Sequence, residues 1–232
     1  ELDAAVTAAA SLFDGAGISF DALREREAAG EKLAGFDLPV TVSMQGGADY
    51  EDVKSPNVAG MIEGADPALK REVVVLTAHL DGVGLEPPRA DRPEGADIIR
   101  NGALDNAMGV ATMIEAARAF LRSGEPPART IVFLAVTAEE KGLLGAGYYA
   151  RHPTVPKDAI VANVNLDMPL VLFDFVDVIA FGAERSTLGD LVGAAAASMG
   201  VALSPDPVPE QNLFTRSDHY RFVEQGVPAV FL

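Results

Sequence analysis

The chain has 232 residues, 49% of them apolar, and is therefore long enough to bury one sizeable hydrophobic core. Its formal net charge of -16 repels phosphate backbones and anionic lipid, so we expect neither a nucleic acid nor a membrane as a partner. The absence of cysteine excludes disulfides and thiolate metal ligands. No apolar run approaches the roughly 18 residues of a membrane helix, and Glu1 opens no signal-peptide pattern. We expect a soluble chain whose native start lies upstream.

Residues 1–35 are rich in alanine and hold two short helical patterns, at 4–13 and at 20–29. The run Asp14-Gly15-Ala16-Gly17 separates them, because two glycines within four residues favour a turn over a continuing helix. No residue in this stretch suggests a chemical role. We interpret it as a helical lead-in or as the remnant of an upstream domain, with the main domain at residues 36–232.

Beyond residue 36, apolar runs typical of buried strands alternate with patterns of helical periodicity. The sequence predicts strands at 40–44, 57–62, 73–78, 130–136, 160–166 and 176–181. It predicts helices at 110–121, 143–150 and 188–199, and a proline-rich loop at 86–102. This alternation predicts an α/β fold in which a mixed, mostly parallel central β-sheet carries helices on both faces.

One histidine and several acidic residues follow the predicted strands, at the positions where open α/β sheets bind their ligands. His79 and Asp81 come at the end of the strand at 73–78 and project to the same side, so that Asp81 can orient the imidazole through a hydrogen bond. Alone, such a pair is more typical of a structural hydrogen bond than of a metal site.

Three further carboxylate motifs change that interpretation. Asp105 precedes a helix and fits either an N-cap or a carboxylate shared by two metal ions about 3.5–4 Å apart. Glu139 and Glu140 follow a buried strand, where adjacent like charges need a cation or a proton beside them. Asp167 also follows a strand, and by itself it fits a simple turn.

In combination, these motifs resemble the di-zinc aminopeptidase family, which also includes glutamate carboxypeptidases and glutaminyl cyclases. The motifs are HLD at 79–81, DN at 105–106, EE at 139–140 and NLDM at 165–168. The resemblance covers about residues 55–232. It implies the zinc-exopeptidase-like (phosphorylase/hydrolase-like) fold, two zinc ions and a cis peptide between residues 105 and 106.

Matched by motif position, the resemblance also assigns roles to single residues. It implies that His79 and Asp167 bind one zinc, that Glu140 binds the other, and that Asp105 bridges the two. Glu139 is then the catalytic general base, and Asp81 is the catalytic residue that supports the imidazole.

The implied reaction is hydrolysis by a zinc-activated water, whose proton Glu139 takes and then delivers to the leaving amine. We expect an aminopeptidase that acts on peptides or amino-acid derivatives, and family likeness implies a secreted or periplasmic bacterial protein. A carboxypeptidase or an N-acyl amino acid amidohydrolase would need a basic group at the pocket, for which Arg100 and Arg216 are candidates. A non-catalytic relative is the remaining alternative.

In the family, the histidine of the second zinc lies in a Tyr-His-Thr motif beyond the segment that ends here at Leu232. We therefore expect the catalytic domain to lack its C-terminal end, with the second site one imidazole short. His219 is a candidate replacement because imidazoles bind zinc readily. Family likeness instead places it at a helix start, after an Asp218 that supports the carboxylates. His152 is expected to be a solvated residue at a helix end.

Overall fold

The computed structural model of the protein describes residues 6–87, 89 and 92–232, and the chain divides into two compact units between Asp52 and Val53. In the first unit, helices α1 (Val6–Ser11) and α2 (Phe20–Ala28) confirm the two predicted helical stretches. Residues 4 and 5 of the first prediction lie outside the described residues. The division into a lead-in at 1–35 and a catalytic domain at 36–232 stays a prediction.

The strand predicted at 40–44 is wrong. Residues 37–57 form no helix or strand, and Val42 and Met44 are 56% and 76% exposed. Alternating apolar residues form a strand only where a neighbouring strand pairs with them and a core covers one face. No described strand pairs with this segment.

The second unit contains the other predicted strands and helices, with ends that shift by a few residues. In chain order it contains β1 (Val58–Ile62), β2 (Val73–His79), β3 (Gly84–Leu85), β4 (Ile99–Arg100), a π-helical segment (Ala103–Met108), α3 (Gly109–Ser123), β5 (Thr130–Val136), α4 (Leu144–Arg151), β6 (Ile160–Asn165), β7 (Asp177–Ile179), α5 (Leu188–Ser198), β8 (Ala202–Ser204), α6 (His219–Val223) and β9 (Ala229–Phe231). The predicted loop at 86–102 is closed at its ends by the pairing of β3 with β4, and its residues 88, 90 and 91 lie outside the described residues.

The central sheet has five strands in the order β1-β5-β2-β6-β9. Only β1 runs antiparallel to its neighbour, β5, and the other pairings are parallel. This arrangement confirms the predicted mixed, mostly parallel sheet. Since β2 lies between β5 and β6, the carboxyl ends of these three strands meet at one edge of the sheet.

Helices cover both faces of this sheet, as predicted. Along β5, Val132 and Leu134 belong to a buried cluster that includes residues of α4 and α6. The alternate residues Ile131 and Phe133 belong to a second cluster with Met113 of α3. Side chains alternate along a strand, so one apolar run supplies both layers of the core. Within the described part of the chain, no helix is long and apolar enough to cross a lipid bilayer.

Replacing Leu134 with alanine tests this two-layer core. Leu134 is fully buried, so Leu134→Ala leaves a cavity and lowers the free energy of unfolding by about 2–5 kcal/mol. Leu121→Ala is the control, because Leu121 is 72% exposed on α3 and its loss changes stability by about 0.5 kcal/mol or less. Urea unfolding of both variants measures the difference, and equal stabilities would contradict the described core.

Candidate metal centre

His79 occupies the carboxyl end of β2 and is only 1% exposed. Its Nε2 lies 3.0 Å from Asp105 Oδ1 and 3.3 Å from Asp167 Oδ1. Its Nδ1 lies 3.1 Å from the backbone oxygen of Asp81. A carbonyl oxygen can only accept a hydrogen bond, so this contact places a proton on Nδ1, while Nε2 faces the two carboxylates.

Asp81 does not make the hydrogen bond that the sequence suggested. Its carboxylate Oδ1 is 3.7 Å from His79 Nδ1, because both carboxylate oxygens are turned toward another segment. Oδ1 accepts a hydrogen bond from the backbone N–H of Glu139, and Oδ2 accepts one from the backbone N–H of Glu140. The backbone of Asp81 thus orients the imidazole, while its side chain holds the two glutamates in place.

Asp105 and Asn106 are joined by the cis peptide that the resemblance implied. The Asn106 side chain is buried and donates through Nδ2 to the backbone oxygen of Leu166, at 2.9 Å. Its Oδ1 accepts from the backbone N–H groups of Gly109 and Met168. Asn106 therefore fixes the Asp105 segment to the end of β6. A Cβ atom on residue 109 would collide with the Asn106 side chain and the Leu166 carbonyl, which explains the glycine there.

The pKa values of the two glutamates, Glu139 and Glu140, are both raised. Burial raises the pKa of Glu139 to about 7, opposed by the charge of His79 and reinforced by Asp167 and by other carboxylates nearby. Burial also raises the pKa of Glu140, and the charge of Asp105 adds to the effect. A carboxyl group with a pKa near 7 exchanges protons readily at neutral pH.

The pKa of the His79 imidazole is raised, although burial by itself lowers the pKa of a histidine. Burial lowers its pKa, but the adjacent Asp167 carboxylate, together with the charges of Glu139 and Asp218, raises the pKa to about 9. Positive charge is therefore strongly favoured at this position. A divalent cation supplies it more effectively than a proton, since metal binding displaces protons from such ligands.

The donor set fits zinc. His79, Asp105 and Asp167 each offer one ligand atom within 4.8 Å of the others, which is the one such group among the described residues. His79 Nε2 and Asp167 Oδ1 are buried and have no hydrogen-bond partner in the protein. Imidazole and carboxylate ligands are typical of zinc sites with an open position. Glu140 Oε1 is likewise buried without a partner, but Glu140 lies outside this group.

The other two histidines are separate from this group. His219 is fully buried at the start of α6, between the rings of Phe214 and Phe231, at centroid distances of 5.1 and 5.4 Å. Burial lowers its pKa to about 4, so the ring is neutral at neutral pH. His152 is exposed at the end of α4 and stacks on Tyr148. This position agrees with the prediction that His152 is a solvated residue at a helix end.

Asp218, beside His219, is fully buried, and neither of its carboxylate oxygens has a hydrogen-bond partner. Burial raises its pKa well above the usual range, with a further contribution from the charge of Glu139. Ser217 donates a 2.6 Å hydrogen bond to Asp167 Oδ2. Sequence reasoning gave Ser217 no role, because a serine between charged residues carries no recognisable signal.

Sequence comparison assigns the chain to a protein family. The sequence profile of peptidase family M28 matches residues 57–232. A vacuolar membrane protease of Pyricularia oryzae is 36% identical over 139 residues, covering 56% of this chain and 12% of the relative. The aminopeptidase YwaD of Bacillus subtilis is 29% identical over 149 residues, covering 64% of this chain and 26% of the relative.

A solved structure agrees with these similarities. The zinc aminopeptidase BSAP from Bacillus subtilis superposes with a TM-score of 0.55 at 26% identity, over 75% of this chain and 39% of that protein. The family match extends over the sheet and over all the motif residues described above, since these lie within residues 57–232. The chain spans well under half the length of these relatives.

Zinc binding through His79 is directly measurable. We expect at least one zinc ion per chain, and at 100 times its dissociation constant the ion stabilises the protein by about 2.7 kcal/mol. His79→Ala removes the central ligand and should abolish this stabilisation, whereas His152→Ala, at an exposed helix end, should keep it. Elemental analysis and thermal unfolding with and without zinc make the test. Equal zinc binding by both variants would contradict the assignment.

Proposed function

The chain belongs to peptidase family M28, and we propose that it is a zinc-dependent exopeptidase of the aminopeptidase type, which releases N-terminal residues from peptides. The observation that carries the proposal is the convergence of His79, Asp105 and Asp167 beside a glutamate whose pKa is raised to about 7. The first three residues offer a cation its ligands, and Glu139 offers a base at neutral pH.

A bound zinc ion would act as a Lewis acid and lower the pKa of a water molecule. His79, Asp167 and Asp105 would hold one such ion, and Asp105 and Glu140 would contribute to holding a second. Glu139 removes the proton from the attacking water and returns it to the amine that leaves. The hydrogen bonds that the Asp81 carboxylate accepts from the backbone N–H groups of Glu139 and Glu140 keep both glutamates in place during this transfer.

The surroundings of Asp167 favour an apolar substrate residue with a free amine. A cavity of about 410 Å³ opens beside Asp167, and the charged residues that line it are Asp167 and Asp177. Its apolar lining includes Met168, Leu170, Phe173, Ile179, Phe181 and Phe231. An apolar side chain fits such a cavity, and the carboxylates attract an ammonium group.

The alternatives that recognise a carboxylate have less support. They require a cationic side chain at the pocket, but Arg100 is paired with Glu86 at 2.8 Å, and neither Arg100 nor Arg216 lines the cavity beside Asp167. A non-catalytic role would leave the base and the ligand group without a purpose. The proposal also includes a secreted or periplasmic location, which rests on family likeness, and cell fractionation of the source organism would test it.

Glu139→Gln tests the role of the base. The amide cannot take a proton, so kcat should fall by about 10²- to 10⁴-fold while zinc content stays at the level of the unaltered protein. Glu115→Gln is the matched control, because Glu115 is exposed on α3 and should leave turnover unchanged. Hydrolysis of leucine p-nitroanilide, together with elemental analysis, provides both readouts. Normal turnover in Glu139→Gln would disprove the assignment.

Blocking the substrate's amine tests the aminopeptidase assignment. Leucine p-nitroanilide should be hydrolysed about 100-fold or more faster, in kcat/KM, than its N-acetyl derivative, because the derivative lacks the charged group that the carboxylates attract. Hippuryl-leucine, which offers a free carboxylate instead, should be a poor substrate. Preference for either blocked compound would favour the amidohydrolase or the carboxypeptidase alternative.

A further inference from the structure

A continuous line of buried polar side chains leads through the apolar sheet to Asp167. It consists of Asn163, Thr77, Asn165 and Ser217, each at most 1% exposed. Asn163 Nδ2 lies 3.1 Å from Thr77 Oγ1, Thr77 Oγ1 lies 2.6 Å from Asn165 Oδ1, and Asn165 Nδ2 lies 2.7 Å from Ser217 Oγ. The last contact, from Ser217 Oγ to Asp167 Oδ2, measures 2.6 Å. We call these four residues the polar relay.

The direction of every hydrogen bond in the polar relay follows from its two ends. Asn163 Nδ2 also donates to the backbone oxygen of Val75, which can only accept, so the amide cannot be reversed without opposing two oxygens. At the other end, Asp167 Oδ2 can only accept, so Ser217 donates its one proton to it and accepts from the Asn165 amide. Asn165 Oδ1 then faces Thr77, which accepts from Asn163 and donates its single proton to Asn165.

The two oxygens of Asp167 consequently differ. Oδ2 receives the hydrogen bond at the end of the polar relay, whereas Oδ1 is buried without any hydrogen-bond partner and lies 3.3 Å from His79 Nε2. A carboxylate held through one oxygen presents the other in a fixed direction, and hydrogen bonds to ligating groups also tune their strength as ligands. Buried polar groups inside a sheet are costly unless fully paired, and Asn163 Oδ1 has no partner, so this line is expensive to keep for packing alone.

We propose that the polar relay is a positioning device for the metal site: it holds Asp167 so that Oδ1 faces the zinc, and it transmits this effect from Thr77 on β2 through Ser217. The inference rests on the proposed function only in taking Asp167 as a zinc ligand. Thr77, Asn163, Asn165 and Ser217 touch neither the zinc nor the substrate in this scheme, and they act through Asp167.

The zinc dissociation constant, measured by chelator competition on metal-depleted protein, tests the polar relay. Ser217→Ala removes the final hydrogen bond and should weaken zinc binding by about 10- to 100-fold. Thr77→Val removes the hydroxyl at nearly constant shape, which frees the Asn165 amide to reverse and to take the Ser217 proton away from Asp167. Zinc binding should then weaken by about 10-fold. Thr77→Ser keeps the hydroxyl and should restore the affinity of the unaltered protein.

The double variant Thr77→Val with Ser217→Ala separates positioning from packing. If Thr77 acts through Ser217, the double variant should bind zinc no more weakly than Ser217→Ala alone. Additive losses, or zinc affinities equal to that of the unaltered protein in both single variants, would overturn the proposal. Urea unfolding of the metal-free variants measures the packing contribution on its own.

His79→Ala separates this proposal from the proposed function. Zinc binding that survives His79→Ala would contradict the metal site itself. Loss of binding in His79→Ala, combined with unaltered binding in Ser217→Ala, would leave the metal site intact and refute the polar relay. If Thr77→Val fails to fold, the Ser217→Ala variant alone decides, because an unchanged affinity there removes the last link of the polar relay.

Discussion

The mutual repulsion of carboxylates around His79 is the constraint on which the rest of the site depends. Asp105 and Asp167 both approach its Nε2 to within 3.3 Å, and the carboxylate of Asp218 is fully buried without a hydrogen bond. No lysine or arginine of the described residues forms an ion pair with any of these groups. Desolvated like charges destabilise a fold unless protons or a cation compensate them. Cation binding therefore belongs to the stability of this edge as well as to its chemistry.

The sheet topology creates this concentration of charge. Strands β2, β5 and β6 are adjacent and parallel, so the segments that follow them lie side by side at one edge. The first supplies His79 and Asp81, the second the glutamate pair, and the third Asp167. Short links cross between them: the Asp81 carboxylate reaches the backbone of Glu139, and Asn106 reaches Leu166 at the end of β6. These links keep the acidic groups close despite their repulsion.

The sequence predicted the acidic positions and most strands, because buried strands with polar ends leave a pattern that one chain can show. It could not predict that the Asp81 carboxylate would face Glu139 rather than His79, since that depends on which strands are neighbours. Thr77 and Asn165 were hidden for the same reason, as each interrupts an apolar run and finds its partner 88 residues away. At 40–44 the sequence predicted a strand that does not form, because no described strand pairs with this segment.

The residues that support the site share one feature, which is how their side chains use their hydrogen-bonding atoms. Asp81 uses both of its oxygens to hold backbone N–H groups, and Asn106 uses both ends of its amide to join the Asp105 turn to β6. The two oxygens of Asp167 differ: Oδ2 accepts a hydrogen bond from Ser217, and Oδ1 faces His79 without a hydrogen-bond partner. Side chains whose polar atoms are all hydrogen-bonded hold the structure, whereas buried, unpaired atoms that converge on one point can receive a cation. In the proposed metal site, Asp167 and His79 have such atoms, whereas Asp81 and Asn106 hold the neighbouring segments in place.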